Sequence, residues 1–292
     1  MSATPFDFGR VIAPVTRSDF FAAYYERAPL VIHRNQPDYY ADLLDLDTVI
    51  AQIETCALKA DEIHLVKFGE TQNAEDWLGA DRRADPIRVL RMVEAGWTVA
   101  LNKMHLRLPA LAKLCQAAEA EFSAAFQTNL YLTPPGAQGF KPHWDTHDVF
   151  VLQVHGSKDW VLYDTKVELP LSGQAFESAN DTPGPVSRSV TLHAGDILYC
   201  QRGLMHAAHS TDETSLHITF GLMAKTWADL MLEAVGGAVL AAPRLRRNLP
   251  IGFARPGACS GAGNPCRRAS CADLPCCTGG RHVHCQPRHQ SA

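Results

Sequence analysis

The sequence predicts an α+β chain whose core is mainly β. Three observations carry this: helical spacing in the first 125 residues, a change of texture near Gln127, and 46% hydrophobic residues in a chain of 292. That apolar content over this length supports a sizeable buried core and excludes a disordered or collagen-like chain. The expected division is a mainly helical N-terminal region over residues 1–125, a barrel and following helix over 126–245, and a tail over 246–292.

The N-terminal region reads as helices with short strands between them. Ser18 is placed to cap a segment running through Phe20, Phe21 and Tyr24. Leu30–Arg34 reads as a strand, and Asp47 as the cap of a helix over Thr48–Ile53. Pro109 suits a first helical position, and Leu111, Leu114, Cys115, Ala118 and Phe122 follow it at helical spacing. Beyond Gln127, strand-like runs fall at Asn129–Thr133, Val149–Val154, Trp160–Tyr163, Ser189–Leu192, Ile197–Cys200 and Leu216–Leu222, punctuated by Gly, Pro and Asp. Many short strands with regular turns suggest a small barrel or sandwich. Trp227–Ala242 reads as a last helix.

Charge is unevenly distributed. The whole chain is −4, but residues 246–292 hold seven Arg, no Lys and one acid, Asp273, which leaves the first 245 at −10. A globally basic nucleic-acid binder is therefore not expected, and an acidic body suits a basic partner. The N-terminus lacks a basic stretch followed by an apolar one, and no apolar run reaches the ~18 residues of a membrane span, so a cytoplasmic protein without membrane contact is expected. Six of the nine Cys lie in the tail, while Cys56, Cys115 and Cys200 are scattered through the body as small hydrophobes would be. The tail has no Cys-x-x-Cys and no period, so it is expected to be disordered; a zinc module or an out-of-frame translation product are the alternatives.

The sharpest local signal is Lys141-Pro-His-Trp-Asp145. Side chains two apart on an extended strand share a face, so His143 and Asp145 offer two of the three ligands of a 2-His-1-carboxylate iron site. The third must come from elsewhere, and His206, after the turn–strand–turn of Gly195–Gly203, is the best candidate. The apolar run Val149–Val154 and the turn at Gly156 lead into Lys158 and Trp160–Tyr163, a hairpin that brings Lys158 back towards the metal strand. A lysine there can anchor an acidic co-substrate. His147 shares the face of His143 and Asp145 and reads as a pocket-edge group, His209 as a residue of the exit strand, and His217 as a core histidine with a partner. Tyr131 and Trp144 fit either a substrate channel or barrel packing.

Together, Asn129–Asp145, Val149–Val154, Gly156-Ser-Lys158, Gly195–His206 and Ser215–Gly221 resemble the JmjC ribosomal oxygenases, and Tyr24–Arg34 resembles that family's N-terminal segment. The resemblance spans roughly residues 15–235. It implies a double-stranded β-helix (cupin/JmjC) core and the chemistry of Fe(II)- and 2-oxoglutarate-dependent protein hydroxylases that consume O₂. It implies His143, Asp145 and His206 as iron ligands, Lys158 as the partner of the distal carboxylate of 2-oxoglutarate, and Asn129 close to that co-substrate. A ribosomal protein is the implied acceptor. In that family a helical dimerisation region and a winged-helix-like domain follow the barrel; here the tail departs from that pattern after Leu245. The alternatives are a small-molecule cupin oxygenase and a truncated, non-catalytic JmjC-like binding protein.

Overall fold

Local side-chain caps set the first helices of the computed structural model, which describes residues 6–55, 58–164, 167–174, 176–249 and 251. The Asp7 carboxylate accepts from the Arg10 amide at 2.9 Å and starts α1 (Phe8–Ile12). Thr16, not Ser18, caps α2 (Arg17–Ala23): its hydroxyl accepts from the Asp19 amide, and Ser18 lies inside the helix. After β1 (Leu30–Ile32), α3 (Leu46–Thr55) is capped two residues earlier than expected, because the Thr48 amide donates to Asp45 Oδ1 at 2.7 Å. There follow β2 (Ile63–Lys67), β3 (Glu70–Thr71), α4 (Ala74–Trp77), α5 (Pro86–Glu94), β4 (Thr98–Leu101) and α6 (Pro109–Phe122). The last opens on its proline, as the sequence predicts.

The second half is almost all strand: β5 (Ala125–Thr133), β6 (Asp148–His155), β7 (Ser157–Tyr163), β8 (Val186–His193), β9 (Ile197–Cys200), β10 (His206–Ser210) and β11 (Ser215–Met223). Two sheets form, an eight-stranded one in the order β1-β9-β6-β11-β5-β4-β2-β3 and a three-stranded one in the order β10-β7-β8. Their strand pairs are antiparallel. The short strands of the mainly helical N-terminal region, β1, β2, β3 and β4, all extend the large sheet. Gly156, at φ +62°, makes the β6–β7 turn; a Cβ there would stand 2.0 Å from the Thr214 carbonyl oxygen.

Aromatic residues tie the helices to the sheet. Phe8 meets Phe122 edge-on at 4.8 Å and Phe150 at 5.5 Å, and Phe20 meets Tyr199 at 5.0 Å. Phe8, Phe20, Phe150 and Tyr199 are all fully buried. Each such side chain contributes about 1.5–3 kcal/mol of burial, with about 0.5–1.5 more from each well-placed ring pair. One core therefore joins α1, α2 and α6 to β6 and β9.

By its contacts the chain divides into Met1–Thr226 and Trp227–Ala292. The second unit contains α7 (Trp227–Ala241), which holds no buried residue. The expected disordered tail lies almost wholly outside the described residues. Among those described, no helix is long and apolar enough to cross a membrane.

Candidate metal centre

His143 and Asp145 lie on the extended segment that enters β6, and His206 is the first residue of β10. The His143 amide donates to the His206 carbonyl at 3.0 Å, and the His206 amide donates back to the His143 carbonyl at 2.8 Å. A third backbone bond, from Gly203 N to Asp145 O at 2.9 Å, locks the hairpin onto the same segment. The imidazole centroids stand 4.6 Å apart, and one ligating atom from each of His143, Asp145 and His206 falls within 4.8 Å of the others.

The imidazoles are oriented by their own backbone. Nδ1 of His143 donates to the Lys141 carbonyl at 2.8 Å, and Nδ1 of His206 donates to the Leu204 carbonyl at 2.9 Å. With Nδ1 carrying the proton, each Nε2 keeps its lone pair, which is the tautomer a metal requires. Burial, helped by His143, lowers His206 to about 4, so it is neutral at ordinary pH. Burial works against the Asp145 carboxylate, but the imidazoles of His206, His143 and His147 outweigh it and leave the group below its usual range. Two imidazoles with Nε2 free and one carboxylate are a donor set that fits a divalent iron-type ion.

A buried ionic cluster braces the segments on either side. Asp148, fully buried, accepts from the Tyr199 hydroxyl at 2.7 Å and from Arg202 at 3.3 Å, while Arg202 also pairs with Glu26. Burial still raises the Asp148 carboxyl above its ordinary value. Arg202 therefore ties the residue just before the His206 hairpin to the first residue of β6 and to the N-terminal region.

The centre opens on a cavity of about 220 Å³. Lys158, on β7, is only 4% exposed and lines it. Its Nζ donates to Thr133 Oγ1 at 2.9 Å, and Thr133 in turn accepts from the Thr98 hydroxyl at 3.2 Å. No carboxylate pairs with Lys158 among the described residues, and burial pulls its ammonium down to about 7. A buried cation that pairs with no described carboxylate, beside the Thr133 hydroxyl and the His217 imidazole, is suited to an anion from outside. Asn129 also faces the cavity, with its Oδ1 held by the Lys103 amide at 3.0 Å.

The histidines read as bystanders fall as follows. His147 is half-buried and lines the cavity. His209 is on β10, an exposed side chain 3.4 Å from Asp159. His217 is buried and stacks on Tyr131 with centroids 4.9 Å apart, yet its Nδ1 has no hydrogen-bond partner. Tyr131 lines the cavity, whereas Trp144 packs edge-on against Phe176 at 5.9 Å. Thr98, Thr133 and Thr219 went unnoticed in the sequence. The available signal for Thr133 was its period-two spacing from Asn129 and Tyr131.

Comparison with known proteins agrees with this architecture. The family model described as "JmjC domain" matches residues 103–230. Segment 103–230 of the chain belongs to the JmjC domain family. The Dictyostelium discoideum protein "Bifunctional lysine-specific demethylase and histidyl-hydroxylase NO66" is 32% identical over 235 residues, covering 78% of this chain and 45% of that protein. Human "Ribosomal oxygenase 1" is 31% identical over 265 residues, 84% of this chain and 40% of its own length. The chain therefore spans less than half the length of those relatives. Among solved structures, E. coli YcfD superposes with a TM-score of 0.54 at 18% identity, over 86% of this chain and 62% of that one. YcfD described as a ribosomal oxygenase in complex with cobalt and 2-oxoglutarate gives a TM-score of 0.52 at 17% identity, over 86% of this chain and 62% of that one. That likeness is one of fold, and with the family match it gives a JmjC cupin-like fold.

Proposed function

We propose that this chain is an Fe(II)- and 2-oxoglutarate-dependent oxygenase that hydroxylates a side chain of a basic protein, a ribosomal protein first among the candidates. The observation that carries the reading is the convergence of His143, Asp145 and His206 within 4.8 Å, at one cavity with a buried Lys158 that pairs with no described carboxylate. The names of the relatives, oxygenases and histidyl-hydroxylases, support the same reaction class.

In this reading His143, Asp145 and His206 hold the iron. When bound, iron supplies oxygen activation coupled to oxidative decarboxylation of 2-oxoglutarate to succinate and CO₂. The chain's residues do the rest. Lys158 pairs with the distal carboxylate of the co-substrate, helped by Thr133 Oγ1, and Asn129 lies beside it. The Lys141 and Leu204 carbonyls keep both imidazoles in the ligating tautomer. Val149, Val151 and Trp160 line the cavity with apolar surface and limit water. The proposed setting is cytoplasmic: Cys115 and Cys200 are free, buried thiols, as a reducing compartment keeps them. No direct nucleic-acid contact is part of the reading.

The test is mass spectrometry of ribosomal proteins from cells with and without this gene. Addition of one oxygen atom to a ribosomal protein only when the gene is present is the expected result, and no difference between the two would count against it. A small-molecule acceptor is the second reading, favoured by the size of the cavity; 2-oxoglutarate-dependent succinate formation on a small acceptor, with ribosomal proteins unmodified, would select it.

A further inference from the structure

The strand register orders the cavity from one end to the other. On β11, His217, Thr219 and Gly221 share a face, paired with Tyr131, Asn129 and Gln127 of β5 and with Gln153, Val151 and Val149 of β6. Lys158 and Thr133 mark the His217 end. Gly221 lies about 13 Å further along β11, at a strand rise of roughly 3.3 Å per residue. At that position a Cβ would stand 2.9 Å from Cδ2 and 3.0 Å from Nε2 of His147. The imidazole of His147 therefore rests on bare glycine backbone, in space that any other residue at 221 would occupy.

That imidazole is half-buried, lines the same cavity as the candidate ligands, and hydrogen-bonds to no other described residue. It is not among the groups whose ligating atoms converge within 4.8 Å, so it is not a fourth ligand there. If 2-oxoglutarate reaches from Lys158 to the triad, the acceptor has to approach from the other side, where His147 stands.

We propose that His147 is a specificity-determining residue whose imidazole hydrogen-bonds the acceptor at the metal end of the cavity, in room that Gly221 leaves for it. The acceptor it suits is a side chain bearing its own nitrogen or oxygen, such as an imidazole or a carboxamide, rather than a plain aliphatic one. This rests on the oxygenase reading above.

The test uses the full chain as parent, His147→Ala, His147→Gln and Gly221→Ala, with total ribosomal protein from cells lacking the gene as acceptor. Cobalt(II) binding, 2-oxoglutarate binding and acceptor-dependent succinate formation are measured for each. In His147→Ala the acceptor concentration for half-maximal rate should rise roughly tenfold, the loss of about one hydrogen bond. Cobalt(II) and 2-oxoglutarate affinities should stay within about twofold, because the hydrogen bond is made to neither. His147→Gln should recover part of the loss, and Gly221→Ala, by displacing the ring, should reproduce it. Should Gly221→Ala fail to fold, the two His147 variants decide alone. An unchanged half-saturation in His147→Ala beside an active parent overturns this inference and spares the oxygenase reading. Loss of cobalt(II) in His147→Ala also overturns it, by moving the residue into the metal set. A parent with no acceptor oxidation overturns both.

Discussion

His143 and His206 exchange two backbone hydrogen bonds, at 3.0 and 2.8 Å, so one antiparallel residue pair carries both imidazoles of the candidate centre. The side chains of such a pair emerge close together on the same face, which is why residues 63 positions apart bring their rings to 4.6 Å.

The first prediction follows from that pairing. His143→Ala keeps both backbone bonds and removes only a ligand, so the fold should survive while metal binding fails. Titration with cobalt(II), followed by absorption, should show at least a ~100-fold loss of affinity, more than the 10–100-fold typical for removing a supporting residue around a metal. Near-parent affinity in a folded variant would remove His143 from the centre.

Lys158→Ala should weaken 2-oxoglutarate binding by about 10- to 150-fold, since a charged hydrogen bond contributes roughly 1.5–3 kcal/mol. Cobalt(II) should still bind. Lys158→Arg should rescue only in part, because a planar fork does not fit where a point charge sits against Thr133. Calorimetric titration of the three chains reads this directly; parent-like affinity in the alanine variant would end the co-substrate assignment.

The same lysine sets a pH dependence. Burial lowers it from an ordinary 10.5 to about 7, so between these values the unfolded chain holds a proton that the folded chain has lost. Stability of the ligand-free protein should therefore gain from this group as pH rises through that window, and Lys158→Met should abolish that part of the slope. Co-substrate affinity should run the opposite way. Pairing with a carboxylate needs the ammonium form, so affinity should fall by up to about tenfold per pH unit above 7, with proton uptake on binding. Calorimetry in buffers of different ionisation enthalpy would detect the uptake, and its absence at pH 8 would contradict the assignment.

The fourth prediction concerns Arg202. Arg202→Met takes the cationic partner from the fully buried Asp148 and leaves it the Tyr199 hydroxyl and the backbone amide of residue 202, and breaking a buried pair from one side costs about 3–5 kcal/mol. Denaturant unfolding should show a loss of that order, partly recovered in Arg202→Met with Asp148→Leu, where no charge is stranded. A loss below about 1 kcal/mol in the single variant would mean the cluster is already relaxed by water.

The local rules explain which parts of this architecture were legible. Period-two spacing placed His143 and Asp145 on one face, and the turn–strand–turn before His206 supplied the hairpin. The strands run further than their apolar cores suggest: β8 begins at Val186, where side chains are exposed and the apolar signal fades, and β5 begins at Ala125, four residues before Asn129, with Phe126 and Thr128 already buried. β4 was missed because Thr98–Leu101 is buried on both faces and only four residues long, so it shows no alternation. The caps Thr16 and Asp45 were misassigned by two residues, since Ser18 and Asp47 have equal capping chemistry and only the backbone path decides. The Lys158–Thr133 contact joins residues 25 apart in sequence on strands of different sheets, which no local pattern reports.

The position of His206 has a consequence for how the barrel comes apart. It opens a strand of the three-stranded sheet, while His143 and Asp145 lead into a strand of the eight-stranded one. An ion shared by these side chains is a cross-link between the two sheets, closed only in the folded chain. Thermodynamic linkage then makes the melting temperature a reporter of occupancy: at a free ion concentration 100 times the Kd, the native state gains about 2.7 kcal/mol. Removing the ion would lower the melting temperature by what binding had contributed, while the backbone bonds between His143 and His206 keep the two sheets joined.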